Sequence, residues 1–120
     1  MEKKDAKILL TDDSSFMRSV LKNILTEAGY TNFEEAENGN EAIEKIASFK
    51  PDLVLLDLIM PEKGGQEVIK EVNGTTKIIV VSAVGQEKIV EEAKSDGAVG
   101  YIVKPFDNSQ VLEEVGKALA

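Results

Sequence analysis

Five short apolar runs, each followed by a segment whose apolar residues recur every three or four positions, predict an α/β fold: a doubly wound five-stranded parallel sheet with five helices on both faces. The runs at Leu53–Leu56 and Lys77–Ala83 are nearly unbroken in apolar character, as strands buried on both sides must be. Turn signals at Gly29, Asn38-Gly39, Pro51, Asn73-Gly74 and Asp96-Gly97 separate the segments. With 120 residues and no linker or low-complexity tract, residues 1–120 read as a single domain able to bury its own core.

The chain opens with Lys7-Ile8-Leu9-Leu10-Thr11, a strand that the N-terminal residues Met1–Ala6 enter directly. Asp12-Asp13-Ser14-Ser15 is a cluster of helix-capping residue types, and Phe16, Met17, Val20, Leu21, Ile24, Leu25 and Ala28 then form one apolar stripe closed by Gly29. Thr31–Ala36 is weakly alternating and acidic, which suits an edge strand. A second helix capped by Asn40 is expected to bury Ala42, Ile43, Ile46, Ala47 and Phe49, with Pro51 ending it and pushing Lys50 towards extended geometry. After the central strand, Pro61–Gly65 is a loop, and Val68, Ile69 and Val72 mark a third helix. A fourth opens at Gly85-Gln86 and carries Ile89, Val90 and Ala93; Val99–Val103 is the fifth strand; a last helix from about Asp107 buries Val111, Leu112, Val115, Ala118 and Leu119. Met60, Phe16 and Phe106 are assigned to core or rim packing, and the pairs Glu34-Glu35, Glu91-Glu92 and Glu113-Glu114 to solvated faces.

Composition removes several function classes. A net charge of −8 disfavours direct nucleic-acid binding, which needs clustered Lys and Arg. The absence of cysteine excludes disulfides and thiolate metal sites, and the absence of histidine excludes imidazole catalysis and any phosphohistidine on this chain. No apolar run approaches the roughly 20 residues of a membrane helix, and no signal-peptide pattern precedes the first strand, so a cytoplasmic setting is expected.

Parallel strands deliver their carboxyl ends to one edge of the sheet, where ligands bind. Here that edge would collect Asp12 and Asp13, Asp57, Ser82 and Lys104. Three crowded carboxylates raise one another's pKa unless a cation sits among them. Mg²⁺ is the expected ion: it takes oxygen ligands at about 2.0–2.1 Å and needs only one or two carboxylates, leaving another to react. An ammonium and a hydroxyl beside it are what a transferring phosphoryl group requires around its oxygens. Taken singly, Asp13 reads as a helix cap, Ser82 as a turn residue, Lys104 as a solvated strand end and Tyr101 as strand packing; their joint arrival at one edge favours chemistry.

These motifs, Asp12-Asp13, Asp57 followed by Pro61 and Gly65, Ser82-Ala83 and Lys104-Pro105-Phe106, resemble the receiver domains of two-component response regulators over the whole chain. Asp13–Arg18 and Ser82–Gln86 look particularly like stand-alone chemotaxis regulators of the CheY type. The resemblance implies a flavodoxin-like strand order 2-1-3-4-5, a cis Lys104-Pro105 bond, and a signalling protein that is not an enzyme in the usual sense. It further implies phosphoryl transfer to Asp57 from a phosphohistidine on a CheA-like histidine kinase; Mg²⁺ on Asp13, Asp57 and the backbone carbonyl of Ile59, with Asp12 acting through water; Lys104 on the phosphoryl oxygens; and Ser82 and Tyr101 as a coupled switch. No output region follows Ala120, so a monomer is expected to bind its target, a flagellar or archaellar adaptor or motor protein, through the surface of the fourth helix, fifth strand and fifth helix, and to be reset by itself or by a phosphatase.

Three features depart from that pattern. Lys63 stands where an apolar residue is common, the connection Asn73–Thr76 is short, and Ile59 and Val84 are apolar where relatives place polar groups thought to orient the hydrolytic water, which implies slow autodephosphorylation. The alternatives are the receiver of a regulator outside chemotaxis, a constitutive adaptor, or an aspartate-nucleophile phosphohydrolase of the haloacid dehalogenase type. The last needs a second acid two positions beyond Asp57, where Ile59 stands. A nucleotide-binding Rossmann or P-loop protein is disfavoured by Thr11–Ser14, which has no glycine and would repel phosphates.

Overall fold

The computed structural model describes residues Met1–Ala120. The strands are β1 (Lys7–Thr11), β2 (Asn32–Ala36), β3 (Leu53–Leu56), β4 (Lys77–Ser82) and β5 (Gly100–Val103); the helices are α1 (Ser15–Glu27), α2 (Gly39–Phe49), α3 (Gly65–Val72), α4 (Glu87–Ser95) and α5 (Asn108–Leu119). The strands are parallel in the order β2-β1-β3-β4-β5, as expected, with β2 and β5 at the edges. No helix is long and apolar enough to cross a membrane.

Alternation along the strands sorts the core into two halves. Ile8, Leu10, Leu53, Leu55, Ile79, Val81 and Ile102 meet Leu21, Ile24 and Leu25 of α1 and Val111 and Val115 of α5 on one face. Leu9, Val54, Leu56, Ile78 and Val80 meet Ala42, Val68, Ile69, Val72 and Ala93 from α2, α3 and α4 on the other. Both faces of the three central strands are therefore covered, which is why those strands read as continuous apolar runs.

Several local expectations are corrected. Asn38, not Asn40, caps α2: its side-chain oxygen accepts from the Glu41 N–H at 2.8 Å. Gly39 follows because a Cβ there would lie 2.2 Å from the Lys63 carbonyl oxygen. Lys50 is left-handed, φ 53°, not extended; its N–H closes the helix on the Ile46 carbonyl, so the C-cap requirement overrides the preference of a residue before proline. Ala47 is exposed, and Phe16, in the first turn of α1, is 73% exposed and is not part of the core. Met60 and Phe106 do pack against the core. Residues Lys3–Asp5 form a short 3-10 turn ahead of β1, held where Lys3 donates to the Ala28 carbonyl at 3.0 Å and its ammonium lies 5.5 Å from the Tyr30 ring centre. Val99 lies outside β5 and is exposed. Asp107 and Gln110 complete a reciprocal capping box on α5.

Leu55 is fully buried between β1 and β4 in the α1/α5 half of the core. Leu55→Ala is expected to lower stability by about 2–5 kcal/mol, read as a drop in the urea midpoint. A loss below about 1 kcal/mol would mean that this half of the core closes around the cavity.

Candidate functional site

The strand order reverses between β1 and β3, and the carboxyl ends of these neighbours carry Asp12 and Asp57. The ladder continues one bond past Leu56, with the Asp57 N–H donating to the Thr11 carbonyl at 3.0 Å, so Asp57 leaves the sheet in a fixed direction. Behind it, α3 comes so close that a Cβ on Gly65 would lie 2.4 Å from the Asp57 carbonyl oxygen. On the next two strands, the Lys104 N–H donates to the Ser82 carbonyl at 2.9 Å, and the Lys104-Pro105 bond is cis.

Asp12 and Asp57 are buried, at 2% and 7% exposure, whereas Asp13 is exposed. Carboxylate oxygens of all three lie within 4.8 Å of one another. Lys104 donates to Asp12 Oδ2 at 2.8 Å and to Asp57 Oδ2 at 3.1 Å. The remaining oxygens are used locally: Asp12 Oδ1 accepts from the Ser14 N–H at 2.9 Å, and Asp57 Oδ1 from the Ile59 N–H at 3.2 Å. Asp13 does not cap α1. Ser14 does, its Oγ accepting from the Met17 N–H at 3.2 Å, so Asp13 stays without a protein partner. One ammonium answering three carboxylates leaves excess negative charge in an all-oxygen pocket, a donor set that fits a hard divalent cation.

Ser82 is fully buried, and its Oγ accepts from the Val84 N–H at 3.3 Å. Tyr101 is half-buried and its hydroxyl donates to the Val84 carbonyl. Both residues therefore grip the two sides of Val84, a link that spacing alone could not reveal because it joins separate strand ends. Ile59 is 63% exposed at the mouth of the site. The contact between Arg18 and Glu35 is not legible in the sequence, where Glu35 reads as part of a solvated face. Arg18 Nε donates to Glu35 Oε1 at 2.8 Å and its Nη1 to the Asp12 carbonyl at 2.5 Å, so Glu35 is not simply solvated. An Arg five residues after Asp-Asp, near the start of the helix, with an acid on the neighbouring strand, was the available signal. In the β3–α3 loop, the Lys63 carbonyl accepts from the Gly39 N–H at 3.1 Å and its ammonium pairs with Glu71.

The family model of the response regulator receiver domain matches residues 8–116. The chain belongs to the response regulator receiver domain family. It is 48% identical over 114 residues to the chemotaxis protein CheY of Thermotoga maritima, covering 92% of this chain and 95% of that one. It is 43% identical over 116 residues to CheY of Bacillus subtilis, covering 94% and 97%. In three dimensions it resembles the crystal structure of the CheX-CheY-BeF3-Mg²⁺ complex from Borrelia burgdorferi, with TM-score 0.91, 32% identity, and 96% and 90% coverage. It also resembles the response regulator domain of Thermotoga maritima CheB, with TM-score 0.87, 34% identity, and 95% and 96% coverage. The order 2-1-3-4-5 is thus that of a receiver, a signalling module homologous to the CheY chemotaxis regulators.

Burial opposes charge on Lys104, but the hydrogen bonds it donates to Asp12 and Asp57 and the negative charges of those carboxylates outweigh it and raise its pKa above the ordinary 10.5. The Tyr101 phenol is raised above 10.0 by burial and then by the Asp57 carboxylate, and Tyr30 by burial alone. For all three groups the folded chain holds a proton that the unfolded chain releases, so their contribution to stability is complete below the unfolded value and is lost as pH rises through the folded one. Because the chain has two tyrosines and no tryptophan, phenolate absorbance reads this directly. Both tyrosines of this receiver are expected to ionise above the ordinary value of 10.0 when folded and to return to it in urea; coincident folded and unfolded titrations would contradict the assignment.

Proposed function

We propose that residues 1–120 act as one phosphorylation-activated switch in chemotaxis or motility signalling, with Asp57 as phosphoacceptor and Mg²⁺ as cofactor. The observation that carries this reading is the convergence of Asp12, Asp13, Asp57 and Lys104 at the carboxyl edge of the sheet. The high identity to CheY proteins over nearly the full length of both chains supports the chemotaxis assignment, and a neighbour with BeF3 and Mg²⁺ in its complex supports the cofactor.

Asp13, Asp57 and the Ile59 carbonyl would hold Mg²⁺, with Asp12 assisting through water. When bound, the ion supplies charge neutralisation that lets an anionic carboxylate meet an anionic phosphoryl group. An oxygen of Asp57 attacks phosphorus, the P–N bond to the donor histidine breaks, and the imidazole departs as the proton-bearing ring. Lys104 meets the growing charge on the phosphoryl oxygens with an ammonium that two carboxylates keep protonated against the opposing effect of burial. The product on Asp57 adds roughly −1.5 to −2 charges and three acceptor oxygens. Ser82 is the hydroxyl available to them, and turning its Oγ towards the phosphoryl group releases the Val84 N–H that it now accepts from. Because the Tyr101 hydroxyl is bonded to the same Val84, that movement reaches β5 and the face it shares with α4 and α5. The target, an adaptor or motor protein, docks on that face; a histidine kinase of the CheA kind is the donor and a phosphatase the remaining partner. Hydrolysis of the acyl phosphate by water resets the switch.

Incubation with Mg²⁺ and acetyl phosphate is expected to add one phosphoryl group, read by intact mass, and Asp57→Ala to abolish it. An unmodified wild type, or an adduct that survives in the variant, would overturn the proposal. The exposed apolar side chain of Ile59 offers nothing to orient the attacking water. Phosphoryl loss is therefore slow, and Ile59→Asn is expected to shorten the acyl-phosphate half-life several-fold; an equal or longer half-life would count against this.

A further inference from the structure

We propose that Arg18 is a positioning residue for the cation: tied to Glu35, it holds the Asp12–Asp13 peptide so that the Asp13 carboxylate faces the pocket. The inference rests on the reading that Mg²⁺ is held there by Asp13 and Asp57.

Asp12 is fixed at every polar atom. Its N–H donates to the Ala36 carbonyl at 3.1 Å, its side-chain oxygens accept from Ser14 and Lys104, and its carbonyl accepts from Arg18 Nη1 at 2.5 Å. Asp13 has none of these restraints; it is exposed, and no protein donor holds its side chain. What determines where Asp13 points is therefore the peptide that joins it to Asp12. That unit is planar, so fixing the Asp12 oxygen fixes the direction in which the Asp13 nitrogen and Cα leave it.

Arg18 suits this task because it is itself held. It lies in the first turns of α1, its N–H bonded to the Ser14 carbonyl at 3.1 Å, and its side chain is 13% exposed. Nε spends its hydrogen bond on Glu35, one position before the end of the neighbouring strand β2, where Leu10 pairs with Glu35 and Thr11 with Ala36. Lys45 donates in turn to the Glu35 carbonyl. One planar guanidinium thus spans β2, α1 and the turn carrying Asp13, with two N–H groups aimed at two acceptors; a lysine ammonium has no such fixed fork.

Charge and geometry predict opposite signs, which makes the inference testable. Arg18→Ala removes a positive charge beside a cation site, and by Coulomb's law alone would tighten Mg²⁺ binding. If Arg18 acts by positioning, binding weakens instead, by about tenfold, the loss usual when the groups orienting a metal ligand are removed. The experiment is calorimetric titration of the whole chain with Mg²⁺, together with the Mg²⁺ dependence of phosphorylation by acetyl phosphate, on wild type, Arg18→Ala and Arg18→Lys, with circular dichroism to establish folding. The expected result is weaker Mg²⁺ binding in both variants, and a half-saturating Mg²⁺ concentration for phosphorylation that rises far more than the rate at saturation falls. Equal or tighter binding in a folded Arg18→Ala overturns the proposal. Should that variant fail to fold, Arg18→Lys decides, since it keeps the charge: weakened binding supports the fork, and unchanged binding overturns it. A folded wild type that takes up no Mg²⁺ overturns the underlying cofactor reading itself.

Discussion

Lys104 reaches back 92 residues along the chain to Asp12 and 47 to Asp57, and this one ammonium lets two carboxylates stay buried at the edge of an apolar sheet. Without it, two charges on adjacent strands would face each other across a low-dielectric gap, at a cost that folding could meet only by protonating them or turning them to solvent. With it, the site is held together but not neutral. Asp13 adds a third carboxylate with no protein partner, so the remaining charge favours an external cation. The fold is built to bring these groups together: β1 and β3 are neighbours because the sheet winds outward from them in both directions, and β5 returns the lysine from the far edge.

The two sides of the site differ in restraint. On the β1 side every polar atom of Asp12 is occupied, and Gly65 lets α3 press on the Asp57 backbone. On the β4 side the hydroxyls of Ser82 and Tyr101 both end on Val84. The asymmetry suits the proposed switch, because a reaction site gains from preorganisation while a switching element needs an alternative place to go.

Strand and helix content was legible because buried parallel strands and amphipathic helices leave different periods in the sequence, and Leu53–Leu56 or Val111 and Val115 admit no other reading. Asp57 and Lys104 were legible for a related reason: a charge that ends an apolar run is costly unless used. What failed to show was decided by atoms distant in sequence. Asn38 caps α2 in place of Asn40 because Gly39 must sit against the Lys63 backbone. Lys50 turns left-handed because the last turn of α2 needs its N–H. Phe16 lies on the apolar stripe of α1 yet is exposed. Glu35 resembles any acid on an edge strand until Arg18 is seen beside it.

The sequence by itself determined the order and type of the elements, the two-sided burial of the central strands, and the set of chemical groups brought to their carboxyl ends, since these follow from local period and from where each apolar run stops. Only the tertiary structure decided which two carboxylates are buried against Lys104 and which is left free, that Ser14 and not Asp13 caps α1, and that Arg18, Glu35 and Asp12 form one chain of contacts. Local pattern records which face a residue belongs to. The partner it meets there depends on neighbouring strands and helices packing at separations of a few ångströms, which no single segment of sequence encodes.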